Sequence, residues 1–102
     1  MIHVIATIEL MPGSRDEFLA EFHQVVPLVH KEQGCLGYGP TVDLPTDIPA
    51  QPDARDDVVT VVESWENLEA LRAHLAAPHM TAYRQRVKHM LAGVTIHVLQ
   101  PV

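Results

Sequence analysis

The 102-residue chain predicts an α+β fold in which four strands form one antiparallel sheet and the helices cover one of its faces. Three observations carry this expectation. Apolar residues alternate with a period of two over Ile2–Leu10, Asp57–Trp65 and Val94–Leu99, as half-buried strands require. Between these runs, Phe18, Phe22, Val25, Val26 and Val29, and later Leu68, Leu71 and Leu75, recur at helical spacing. With Cys35–Leu44 added as a further strand, the order is β-α-β-β-α-β. Right-handed crossovers on that order give a ferredoxin-like sheet with strand order 4-1-3-2.

Taken in turn, the first strand ends at Pro12-Gly13, and Ser14 with Glu17 has the spacing of a capping box for the first helix. That helix is expected to reach about Glu32, with a kink near His23 because Pro27 cannot donate a hydrogen bond. Gly34 suits a left-handed closing residue, and Gly37 and Gly39 mark a weak or bulged second strand. Residues 45–57 change to Pro, Asp and Ala and read as a solvated insertion rather than a lid. Asn67 is an N-cap for a helix that Pro78 must end near Ala76 or Ala77. Met80, Tyr83, Val87, Met90 and Leu91 line a further helix, Gly93 closes it, and Val94–Leu99 is the last strand.

Length and composition narrow the function. The chain is expected to form a single domain, 1–102, and its 47% hydrophobic content supports a modest core. A formal charge of −6 disfavours nucleic acid and anionic membrane as partners. One cysteine permits no internal disulfide, and no apolar run is long enough to span a bilayer, so a soluble, cytoplasmic protein is expected. Phosphate loops, dinucleotide fingerprints and nucleophile elbows are absent from the sequence.

Candidate chemistry concentrates between Glu63 and Met80. Strand alternation puts Ala6, Val61, Glu63 and Trp65 on the helix-covered face, and Ile5, Val58 and Val62 on the other. Trp65 reads as a core residue or as the wall of a pocket. A carboxylate on a covered face needs a cation or a wet cavity, so Glu63 is either paired with Arg72, Arg84 or Arg86, or a general base. His74 and His79 flank the helix break at Pro78 without metal-ligand spacing, and read as capping or pocket-wall residues; no metal site is expected. Cys35 reads as packing rather than as a nucleophile.

Glu63-Ser64-Trp65, Glu69-Ala70-Leu71, His74 and Pro78-His79, together with Pro12-Gly13 and Gln33-Gly34-Cys35-Leu36-Gly37-Tyr38, resemble the pattern of the antibiotic biosynthesis monooxygenase (ABM) family. The resemblance implies a dimeric α+β barrel, two sheets packed face to face in a homodimer, which would also cover the apolar face carrying Ile5 and Val62. It implies cofactor-independent oxygenation of a small aromatic phenol or quinol by molecular oxygen. Glu63 or His74 would be the base, Trp65 the stacking wall, and Tyr83 with Arg84 or Arg86 the polar anchors, with His79 at the pocket wall. Some quinone-forming members carry asparagine where this chain has Val61, and haem-degrading relatives carry one where it has Ala6 or Thr7. A non-catalytic small-molecule binding or sensing module, or an isomerase on the same scaffold, is the alternative reading.

Overall fold

The computed structural model describes residues 1–102. The first strand, β1 (Ile2–Leu10), pairs antiparallel with β3 (Val58–Trp65) on one side and with β4 (Leu91–Leu99) on the other. The second strand, β2 (Cys35–Thr41), completes the sheet outside β3, giving the order β2-β3-β1-β4. This is the expected antiparallel ferredoxin-like arrangement. Helices α1 (Arg15–His30), α2 (Leu68–Ala76) and α3 (Pro78–Val87) pack over one face. Val4, Ala6, Ile8 and Leu10 alternate inward along β1 and meet Phe18, Phe22, Val25 and Val29 of α1 in one core. Full burial of each Val, Ile, Leu or Phe side chain among them contributes about 1.5–3 kcal/mol. No helix is long and apolar enough to cross a membrane.

Several element ends depart from expectation. The capping box does not form: Ser14 has helical backbone angles and its side chain caps nothing. Asp16 and Glu17 instead place negative charge in the first turn of α1, where the helix dipole favours it. Pro27 is accommodated inside α1, which stops at His30 rather than Glu32. The second strand ends at Thr41, short of Leu44. At the other end, α3 stops at Val87, a 3-10 turn spans Lys88–Met90, and Leu91 and Gly93 belong to β4 instead of the helix. Pairing with β1 overrides helical spacing here, because Gly93 lies opposite Glu9. Gly93 therefore lies within the paired strand and is not a helix terminus.

Two turns set the position of α2. Gly34 has a φ of +84°, and a Cβ there would lie 2.6 Å from Ala70 Cβ, so the turn after α1 packs directly on α2. Asn67 caps α2 as expected, its side chain accepting from Ala70 N–H at 2.9 Å. The expected inward stripe of α2 is narrower than its leucines suggest. Leu71 and His74 are buried, whereas Leu68 and Leu75 are each 41% exposed. Ala77, with ψ of 139°, breaks the helix immediately before Pro78.

The loop 42–57 is held by its own contacts. Arg55 donates to both carboxylate oxygens of Asp43 at 2.8 and 3.1 Å, and Gln51 donates to the Leu44 carbonyl at 2.9 Å. Asp57 anchors its end by accepting from Gly13 N–H at 3.0 Å. This segment contributes no residue to the cleft described next.

Candidate functional site

Between the sheet and the α2–α3 corner lies a cleft of about 450 Å³. Ala6 and Ile8 of β1, Val61 of β3, Phe22 of α1 and Met80 of α3 form much of its apolar wall. Val94 and Ile96 of the edge strand β4 stand at its open side. A second cleft of about 270 Å³ sits at the start of α2 between Gln33, Glu66 and Glu69, but it lacks a comparable apolar wall.

Strand register brings the polar groups of the larger cleft together. Glu63 projects inward from β3, and Tyr38 lies directly opposite it on β2. His74 comes from the last turn of α2, and Tyr83 and Arg84 from α3. All five line the cleft. No sealed side-chain nitrogen or oxygen in the molecule lacks a hydrogen-bond partner. His74 Nε2 and the hydroxyls of Tyr38 and Tyr83 make no hydrogen bond, so these atoms must reach accessible space. The second carboxylate oxygen of Glu63 is free for the same reason.

Glu63 does not pair with an arginine. It accepts a hydrogen bond from Trp65 Nε1–H at 3.0 Å, while Arg84 donates to the Leu75 carbonyl at 2.8 Å and Arg86 pairs with Glu21 at 2.9 Å. Arg72 is exposed. The expected ion pair is therefore replaced by an indole–carboxylate bond between residues two apart on one strand face. Arg86 and His79 do not line the cleft. Trp65, fully buried, stands behind the wall instead of forming it. Its ring centroid is 4.7 Å from that of His74, whose other neighbour, Tyr38, is 5.2 Å away. Trp65 thus supports the two candidate bases together.

Burial dominates the electrostatics. Desolvation pushes the Glu63 carboxyl up from 4.5 to about 7, opposed by the Trp65 hydrogen bond. Burial pushes His74 down, opposed by the adjacent Glu32 carboxylate. Desolvation likewise raises both tyrosines, with Glu63 adding to the rise at Tyr38. Near neutrality the cleft therefore holds a neutral imidazole beside a carboxyl poised between its two forms.

The Glu63 shift has a consequence for stability. Between pH 4.5 and about 7 the folded protein keeps a proton that the unfolded chain has released. The sign is that stability is lost as pH rises through this window, by on the order of 3 kcal/mol. His74, with a depressed folded value, contributes a slope of the opposite sign, so the wild type must be read against a variant. In urea unfolding, Glu63→Gln should gain on the wild type as pH rises from 4.5 to 8. A constant difference between the two would show that Glu63 is not held protonated.

Two residues of the site carry no periodic signal in the sequence. Tyr38 reaches the cleft because the β2–β3 register shifts between Cys35 and Gly37. Glu32, in the turn after α1, accepts from His74 Nδ1 at 2.9 Å and lies 2.8 Å from His79 Nε2, across 42 and 47 residues of chain.

A βαββαβ sheet with an apolar cleft under its helices, furnished with an imidazole, a carboxyl and two phenols, defines a candidate small-molecule site on a ferredoxin-like scaffold. The antibiotic biosynthesis monooxygenase family pattern matches residues 1–86, and the chain belongs to that family. It is 43% identical over 103 residues to the protein named probable quinol monooxygenase YgiN of Escherichia coli, covering 99% of this chain and 98% of that one. Among solved structures, a conserved protein of Methanosarcina mazei superposes with a TM-score of 0.83 at 20% identity, over 99% of this chain and 92% of that one. A Pseudomonas aeruginosa protein superposes with a TM-score of 0.81 at 24% identity, over 99% and 93%. These two likenesses establish the fold.

Proposed function

We propose that this chain is a cofactor-independent monooxygenase acting on a small phenol or quinol with molecular oxygen. The observation that carries the reading is the apolar cleft of about 450 Å³ whose few open polar atoms include an imidazole and a carboxyl. The 43% identity to a probable quinol monooxygenase supports the same substrate class.

In this reading a planar aromatic lies between the apolar wall of β1 and β3 and the α3 side chains, with Tyr83 and Arg84 anchoring its oxygen atoms. Neutral His74 takes the phenolic proton at Nε2, and the resulting anion supplies the electrons for oxygen. For a hydroquinone the balance is quinol plus dioxygen to hydroxyquinone plus water. One oxygen atom ends on the ring and the other leaves as water. Glu63 is the proton donor, since its carboxyl is still about half protonated near pH 7. The apolar wall keeps the anion from competing water. Trp65 acts through Glu63 and His74, and not as a stacking surface.

Oxygen uptake across a panel of quinols, with aromatic-ligand binding measured in parallel, tests the reading. Quinol-dependent uptake supports an oxygenase. Tight aromatic binding with no uptake across the panel would replace it with a binding module. A cytoplasmic setting is part of the proposal, resting on the lone cysteine and the soluble composition.

We also propose a homodimer joined sheet to sheet. On the sheet face away from the helices, Ile5 lies between Val62 and His97, and Val62 is 45% exposed. Val58, expected to share that exposure, is already buried within the chain. On the same face Leu99 of β4, paired with His3, is 46% exposed and extends the apolar surface. Sedimentation at micromolar concentration should give a dimer, and Ile5→Lys a folded monomer. A wild-type monomer, or an Ile5→Lys variant unchanged in mass, would contradict this.

A further inference from the structure

The polar group that no cleft-based reading accounts for is Glu32. It lies outside the cleft, in the turn between α1 and β2, yet its carboxylate is held from two sides. His74, in the last turn of α2, places Nδ1 at 2.9 and 3.2 Å from its two oxygens. His79, in the first turn of α3, places Nε2 at 2.8 Å from one of them. The side chain of Glu32 is only 13% exposed and that of His74 only 3%. One carboxylate thus ties three helices at the point where Pro78 breaks the helical segment.

This contact has a chemical direction. A carboxylate accepts hydrogen bonds and cannot donate one, so the neutral ring of His74 must carry its proton on Nδ1 to meet Glu32. Nε2 is then left as a lone pair; it makes no hydrogen bond and is not sealed, on a residue that lines the cleft. Trp65 and Tyr38 pack against adjacent flanks of the imidazole and, with the Nδ1 bond to Glu32, hold its orientation. We propose that Glu32 is the positioning residue that makes His74 a base toward the cleft, by fixing its tautomer and stabilising the imidazolium that forms when it accepts a proton. His79 Nε2, 2.8 Å from the same Oε2 that His74 meets, helps to hold the carboxylate in place. The arrangement resolves which of two adjacent candidates, Glu63 or His74, removes the substrate proton. Glu63 has no such orienting partner, being bound only by the indole N–H.

The charged groups facing His74 are consistent with this role. Glu32 raises its affinity for a proton through both the hydrogen bond and its charge, whereas Arg84 and His79 lower it. Glu32 is therefore the one nearby group that favours imidazolium.

The role of His74 on substrate rests on the oxygenase reading, but the tautomer does not. Long-range ¹H–¹⁵N correlation of the histidine rings in the unliganded protein should show His74 protonated on Nδ1 at neutral pH. Glu32→Gln keeps the shape of the side chain and removes its charge, so His74 should titrate at lower pH than in the wild type. Glu32→Ala should lose the Nδ1–H preference. If quinol turnover is present, Glu32→Gln should lower kcat by about 10²-fold, as misplacement of a catalytic group does. KM should stay nearly unchanged, because Glu32 does not line the cleft. A wild-type ring protonated on Nε2, or a His74 titration unmoved in folded Glu32→Gln, would overturn the proposal. Absence of quinol turnover would count against the oxygenase reading and leave the ring spectra to decide this one.

Discussion

Quinol turnover should fall by about 10²–10⁴-fold in His74→Gln, the contribution typical of a positioned general base. The expectation follows from placement. His74 is 2% exposed, and Nε2 makes no internal hydrogen bond. Burial keeps the ring neutral, and so able to accept a proton. Glutamine fills part of the same volume without a basic nitrogen, so unfolding curves should separate chemistry from packing. Glu63→Gln should lose less, because glutamine still offers a hydrogen-bond donor where the carboxyl stood. If Glu63→Gln were the more damaged of the two, the roles assigned to this pair would be reversed.

Trp65→Ala should destabilise the fold by about 3–5 kcal/mol, as expected for deleting a fully buried indole. In a chain of 102 residues, a loss of that size lowers the melting midpoint by at least about 12 °C. The indole does more than fill volume. Its Nε1–H holds Glu63 at 3.0 Å, and its ring backs His74. Trp65→Phe separates these contributions, since it keeps much of the volume and removes the donor. In Trp65→Phe the Glu63 carboxyl should titrate higher than about 7, because the lost hydrogen bond is the one influence lowering it. Thermal melts and a carboxyl titration by NMR read both effects. A Trp65→Ala protein with wild-type stability would show that the sheet–helix core is not organised around this residue.

The fold was legible because its signals are periodic. Alternation along β1 and β3 assigns their faces, and a one-residue error would have moved every side chain to the wrong side. Glu63, Trp65, Val61 and Ala6 accordingly lie where alternation puts them. The less legible parts depend on pairing. Leu91 and Gly93 continue a helical spacing, yet hydrogen bonding to β1 makes them a strand. Leu68 and Leu75 look like core residues, yet α2 turns His74 inward with Leu71.

The site was half legible for the same reason. Glu63, His74 and Arg84 can be singled out from chemistry and local spacing and Tyr83 from the family resemblance, and they share one cleft. Tyr38 joins them only through a register shift that neighbouring glycines hint at without locating. Glu32 sits in an irregular turn, where nothing periodic marks it, and its meaning comes from partners more than 40 residues away. Arg84 and Arg86 are two apart on one helix, so local sequence cannot tell which faces inward. In the fold, Arg86 turns to Glu21 and Arg84 lines the cleft.

The central claim is that the cleft beside His74 and Glu63 inserts oxygen from the air into an aromatic ring. Turnover of a hydroquinone under ¹⁸O₂ in unlabelled water, with mass analysis of the quinone product, tests it most directly. The account predicts one ¹⁸O atom per ring in the product, no incorporation from water on the same timescale, and near-complete loss of labelling in His74→Gln. Quinone formed without any ¹⁸O, or labelling undiminished in His74→Gln, would contradict it.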